Sequence, residues 1–144
     1  MLPLNGFALK IRKLNEEPGE VEKENGSLAV NSVDVVLKRS DFDAFSSRIL
    51  RIEPGGHTAY HVHQREHLMM VIRGTCRVET ENQSLEVNEA QIVTVPPNMP
   101  HRFFNQSNER LVILIMNFFE ESKTITPQPL PEVSDKLDGD RLSQ

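Results

Sequence analysis

The sequence predicts an all-β domain, a sandwich or barrel of short strands, on three observations. Apolar and polar side chains alternate with a period of two in several segments. Turn-forming clusters separate those segments at close spacing. No segment combines helix caps with a 3.6-residue period sustained over three turns. In order along the chain, FALKIRK sets Phe7, Leu9 and Ile11 against Ala8, Lys10 and Arg12, and TCRVETE sets Cys76 and Val78 against Arg77, Glu79 and Glu81. SLEV puts Leu85 and Val87 on one face. QIVTVP and RLVILIMNFF are β-branched and apolar, as buried strands are. EPGG, RGT, ENQ, VNEA, PPNMP and NQSNE read as turns, and KRSDFDAF is the one stretch with some helical character. No internal repeat is present.

A chain of 144 residues points to one domain with one core. Its apolar share of 38 % is below the usual range, which places part of the chain outside that core. The acidic NEEPGEVEKENGS and the proline-bearing tail KTITPQPLPEVSDKLDGDRLSQ bury too little to offset their ordering entropy. The expected organisation is an N-terminal arm and acidic loop over 1–32, a barrel over 33–120 and a polar tail over 121–144. A formal charge of -5 with no basic cluster argues against nucleic acid as a partner. A single cysteine, Cys76, excludes an internal disulfide framework and a multi-cysteine zinc site, and fits a reducing cytoplasm. Cys76 is expected as a buried, inert thiol. MLPLNGFALKIRK does not read as a secretory leader, and the longest apolar run, Leu111 to Met116, is too short to span a bilayer.

Histidine is used unevenly. His57, His61, His63 and His67 fall within eleven positions, and His101 is the only other one. His61 and His63 form an H-x-H pair, which on a strand points both rings to one side, roughly 6.6 Å apart. Gln64, Arg65 and Glu66 then turn the chain, and His67 opens the strand HLMMVIR. His101 follows the proline-rich VPPNMP, which sets the next strand start rigidly. His61, His63, His67 and His101 are therefore the candidate metal ligands. Neutral imidazole is the commonest protein metal ligand and suits iron, copper, nickel and zinc. Four such ligands on a six-coordinate ion leave open positions, the mark of a reactive site. They also leave the ion's charge uncompensated, which favours an anionic ligand.

These residues carry a resemblance to the cupin family, and the chain looks like a small single-domain, four-histidine member of it. The first cupin motif, G(X)5HXH(X)3,4E(X)6G, is matched by Gly55, His61, His63, His67 and Gly74. The second, G(X)5PXG(X)2H(X)3N, is matched by Ala90, Pro96, Asn98, His101 and Asn105. The match runs in detail from about Phe45 to Phe118. His67 stands where the family usually has glutamate, as in a subset of small cupins, and Glu66 is the alternative ligand. Ala90 replaces a glycine, which is harmless where the turn needs no positive φ. Asn98 replaces another, and asparagine tolerates the left-handed region.

The resemblance implies a double-stranded β-helix barrel with a divalent transition metal inside, manganese or iron first, with nickel, zinc and copper as alternatives. It also implies a homodimer formed through edge strands, for which the segment Phe7 to Ile11 would serve. The functional expectation is an oxygenase-like oxidoreductase acting on a small anionic, enolic or phenolic compound. The alternatives are a metal-dependent ligand-binding module and an isomerase. No general base is evident in the motifs, which weighs against the isomerase, and no catalytic residue is assigned. Phe103 and Met69 are expected to wall the cavity, Tyr60 to face away, and His57 to lie exposed or at the pocket mouth. Arg65 is expected as a solvated turn residue, with a substrate carboxylate as its alternative partner.

Overall fold

The computed structural model describes residues 9–37, 40 and 43–119. Among them, a single 3-10 turn (Leu14–Glu16) precedes nine strands. These are β1 (Glu20–Val21), β2 (Leu28–Val36), β3 (Phe45–His57), β4 (Glu66–Arg73), β5 (Cys76–Thr80), β6 (Ser84–Val87), β7 (Ile92–Val95), β8 (His101–Phe104) and β9 (Leu111–Phe118). Every pairing is antiparallel. The strands form a nearly closed barrel, the all-β architecture expected.

The long strand β3 joins the two halves of the barrel. Its first part pairs with β2 on one side and β9 on the other, from Phe45↔Phe118 to Ile52↔Leu111. Beyond β9 lie β4 and then β7. Its last residue, His57, pairs with Phe104 of β8, and β8 leads to β5 and β6. Between these two partners lies EPGG, so the expected turn is a bend inside a strand. The pairing with β2 shifts register there, between Leu28 and Val30. Gly55 has φ of 80°, and a Cβ on Gly56 would lie 2.7 Å from the Leu28 carbonyl oxygen. A bulge that carries a strand from one sheet to the next needs the same glycine chemistry as a turn. Composition alone does not separate the two.

The inner face is set by period-two burial. On β9, Leu111, Ile113, Ile115 and Asn117 point inward, and on β4 His67, Met69 and Val71 do. Val30, Leu50, Ile52, Cys76, Val78 and Phe103 complete much of the core. Burial raises the Cys76 thiol to about 12, so it is inert as expected. Leu85 departs from its expected face-mate: Val87 is buried and Leu85 is not. Among the described residues β6 ends its sheet with only β5 beside it.

Two further expectations change. Leu9 and Ile11 are 98 % and 85 % exposed, and residues 9–13 form no strand within the chain, while Phe7 lies outside the described residues. Alternation without a partner strand does not make a sheet. Ala90 sits at φ of 66°, so its turn does need the left-handed region. Asn98, at 65°, takes it as expected. Half of KRSDFDAF falls outside the described residues, its described residues form no helix, and its last residue opens β3. β2 runs across the expected 32/33 boundary, and the tail over 121–144 lies outside the described residues.

Candidate metal centre

Three elements bring the four expected histidines together. β8 starts at His101, and its alternation turns His101 and Phe103 inward. β4 buries His67 in the same way, opposite Asn117 of β9. The H-x-H pair is not on a continuous strand. Only His61 is paired, through an isolated bridge in which it exchanges both backbone bonds with His101, at 3.1 and 3.0 Å. His63 lies in the loop beyond, where its carbonyl accepts from the Asn98 amide at 2.6 Å. The left-handed Asn98 thus ties the proline loop to the histidine loop. Asn105 braces the end of β8: its Nδ2 donates to the Ile52 and Glu109 carbonyls at 2.8 and 2.7 Å.

The ring centroids lie 4.0 Å apart for His61–His63, 4.6 Å for His63–His67, 5.1 Å for His61–His101 and 5.4 Å for His67–His101. Glu24 Oε2 lies 2.5 Å from His61 Nδ1. An ionised carboxylate only accepts, so Nδ1 carries the proton and Nε2 presents its lone pair. His101 Nδ1 donates to the Met99 carbonyl at 2.8 Å, which likewise frees its Nε2. His61 Nε2 lies 2.9 Å from His63 Nε2, within hydrogen-bond distance. That spacing is what two nitrogens about 2.0–2.1 Å from a shared ion, at right angles, would have.

Both ring nitrogens of His67 and Nε2 of His101 are buried with no hydrogen-bond partner. Buried polar atoms without partners are uncommon and call for a reason. Burial, and then repulsion between the rings and from Arg65, push His63 down to about 4 and His67 to about 3, while the Asn117 side chain acts the other way on His67. Burial also lowers His101. His63, His67 and His101 are thus held toward the neutral imidazole, the form that binds metals. Among the described residues no three His, Cys, Asp or Glu side chains already stand as a formed coordination set. His61 and His63 bond to each other instead. The donor chemistry, the orphaned nitrogens and the 2.9 Å spacing fit a metal ion nonetheless.

The cluster opens on a cavity of about 320 Å³. Leu50, Phe103 and Ile115 form apolar wall, and Glu22, Glu24, Arg48 and Arg65 bring charge. Phe103 lies where expected. Met69 does not: it is fully buried in the core and lines no part of the cavity. Tyr60 faces away, half exposed. His57 is half-buried beside Phe104 and is not part of the wall. Glu66, the alternative ligand, also lies outside the lining, because β4 alternation turns His67 in.

The acidic segment holds what sequence reasoning missed. Arg51 Nη2 donates to the Leu14 and Glu17 carbonyls, both at 2.7 Å, and so straps this segment to β3. Glu24 then reaches His61, and Glu22 pairs with Arg48 at 2.6 Å. No local spacing in NEEPGEVEKENGS signals this, because both contacts join residues far apart in the chain.

Residues 48–117 match the family described as Cupin domain. Over this stretch the chain is similar to the cupin family. Solved cupin-fold structures agree. The polyketide cyclase RemF from Streptomyces resistomycificus is similar at 19 % identity, with a TM-score of 0.68 over 77 % of this chain and 80 % of its own. A Cupin 2 conserved barrel domain protein from Salinispora arenicola has 14 % identity and a TM-score of 0.67, over 82 % of this chain and 95 % of its own. A cupin-like protein from Thermotoga maritima has 20 % identity and a TM-score of 0.67, over 83 % and 90 %. No curated protein matches. At these identities the likeness establishes the cupin barrel and leaves the chemistry to the residues. No helix among the described residues is long and apolar enough to cross a membrane.

Proposed function

We propose that this chain binds one divalent transition ion, manganese or iron first, through His61, His63, His67 and His101. We propose further that it is an oxidoreductase that uses dioxygen on a small anionic, enolic or phenolic compound. The observation that carries the reading is the orphaned set of ring nitrogens, His67 Nδ1 and Nε2 and His101 Nε2, facing the His61–His63 pair. On this reading His61 and His63 exchange their mutual hydrogen bond for the ion.

When bound, the ion supplies Lewis acidity and, for iron or manganese, a change of oxidation state. The chain's own residues do the rest. Glu24 and the Met99 carbonyl hold the His61 and His101 rings in the tautomer that presents Nε2. Leu50, Phe103 and Ile115 keep water from part of the cavity and receive the substrate's apolar portion.

The Glu22 and Glu24 carboxylates favour a second reading, a metal-dependent proton-transfer reaction such as isomerisation or cyclisation. The barrel's likeness to a polyketide cyclase is compatible with it. Metal analysis of the manganese- or iron-loaded full chain, with oxygen uptake over a panel of small carboxylic and phenolic acids, tests both. About one ion per chain and substrate-dependent oxygen consumption support the first. Deuterium exchange from solvent without oxygen uptake supports the second. A chain that takes up no transition metal under either loading overturns both.

A further inference from the structure

Arg65 is not the solvated turn residue that its sequence position suggests. It lines the same cavity as the four histidines and is half-buried. Its Nε is buried with no hydrogen-bond partner. Among the described residues its guanidinium forms no ion pair, and its Cζ lies 5.9 Å from the centroid of the Phe119 ring.

The other charges near it are already engaged. Arg48 is paired with Glu22, and Glu24 is bonded to His61. Among the described residues one cation, Arg65, is therefore left without an ion-pair partner on the wall of a small cavity. A half-buried guanidinium without a partner is costly, and its planar fork matches a carboxylate with two parallel bonds.

We propose that Arg65 is the substrate-anchoring residue of this site and that it holds the carboxylate of a small monocarboxylic acid. This deepens the functional reading above and rests on it for placing the rest of the molecule at the histidine cluster. In the metal-free cavity the charge count selects a monoanion. A phosphate dianion would meet one free cation and the carboxylates of Glu22 and Glu24 on the same walls. The cavity volume, about 320 Å³, admits an acid of modest size, and Leu50, Phe103 and Ile115 give its carbon skeleton an apolar surface.

Benzoate is a suitable probe, with benzamide as its uncharged counterpart and inorganic phosphate as the competing anion. Calorimetric titration of the full chain, metal-free and zinc-loaded, reads the binding. Benzoate is expected to bind both forms, and Arg65→Gln to weaken it about tenfold or more in each. Benzamide should bind the wild type and Arg65→Gln alike. Zinc affinity of the variant should be no lower, because a nearby cation has been removed. In the wild type, benzoate and not benzamide should protect Arg65 from phenylglyoxal, read by peptide mass, a measurement that needs no variant to fold. Equal benzoate affinity in Arg65→Gln, tighter binding of phosphate than of benzoate to the metal-free chain, or absence of protection overturns the assignment. Failure to take up zinc would sink the metal reading alone, since the metal-free titration still reports on Arg65.

Discussion

Glu24 and His61 meet at 2.5 Å across 37 positions of chain, and this contact fixes which nitrogen of His61 faces the other three rings. A histidine ligand held from behind by a carboxylate is oriented before any ion arrives. Glu24→Ala should therefore lower manganese or zinc affinity by about 10–100-fold. Competitive chelator titration would measure it, and unchanged affinity would remove Glu24 from the site.

Metal binding should also stabilise the fold, because an unfolded chain has no assembled imidazole cluster. At a free metal concentration about a hundred times Kd, the expected gain is ~2.7 kcal/mol. Thermal melts of the wild type with and without metal should show it. His101→Ala should melt at the same temperature in both conditions. A metal-dependent shift that survives this substitution would place the ion elsewhere.

The metal-free protein should weaken in acid. His63 and His67 have folded values of about 4 and about 3, against about 6.5 in an unfolded chain. Depressed values mean that the unfolded state binds protons first. Their stabilising effect is thus complete above about pH 6.5 and is lost as pH falls through about 4 and then about 3. Urea midpoints measured across this range should decline with falling pH, and replacing both residues with alanine should flatten the decline. A wild-type midpoint that is constant from pH 6.5 to 4 would contradict neutral, buried rings.

Backbone geometry gives a pair of opposed expectations. Ala90 occupies left-handed backbone, which costs an L-residue about 1–2 kcal/mol. Glycine's greater unfolded freedom takes back about 0.5–1 kcal/mol. Ala90→Gly should therefore stabilise by about 0.5–1 kcal/mol. Gly56→Ala places a Cβ 2.7 Å from the Leu28 carbonyl oxygen and 3.0 Å from those of Ala29 and Glu53, so it should destabilise by about 1–3 kcal/mol. Equilibrium urea unfolding decides both signs.

Leu9 and Ile11, exposed within one chain, remain suited to pairing with a second copy. We expect a homodimer by sedimentation, converted toward monomer by Leu9→Lys with Ile11→Lys. A monomeric wild type at micromolar concentration would end that expectation.

Period-two alternation and the histidine spacing were enough to read the β class, the inward turn of His67 and His101, and the four rings that meet. Both are local properties: a strand's pleat decides facing over two residues, and a motif's spacing decides where a strand starts. Asn98 was legible too, because left-handed tolerance belongs to the residue itself. EPGG was not, since a bulge and a turn use the same glycines, and only the pairing of β3 with both β9 and β8 tells them apart. Glu24 and Glu22 were also hidden, and so was the half-burial of Arg65, named in the sequence first as a solvated turn residue. Their roles depend on Arg51 strapping the acidic segment onto β3, and on a cavity walled by strands from separate parts of the chain. Such contacts arise from barrel closure, so no short stretch of sequence contains them.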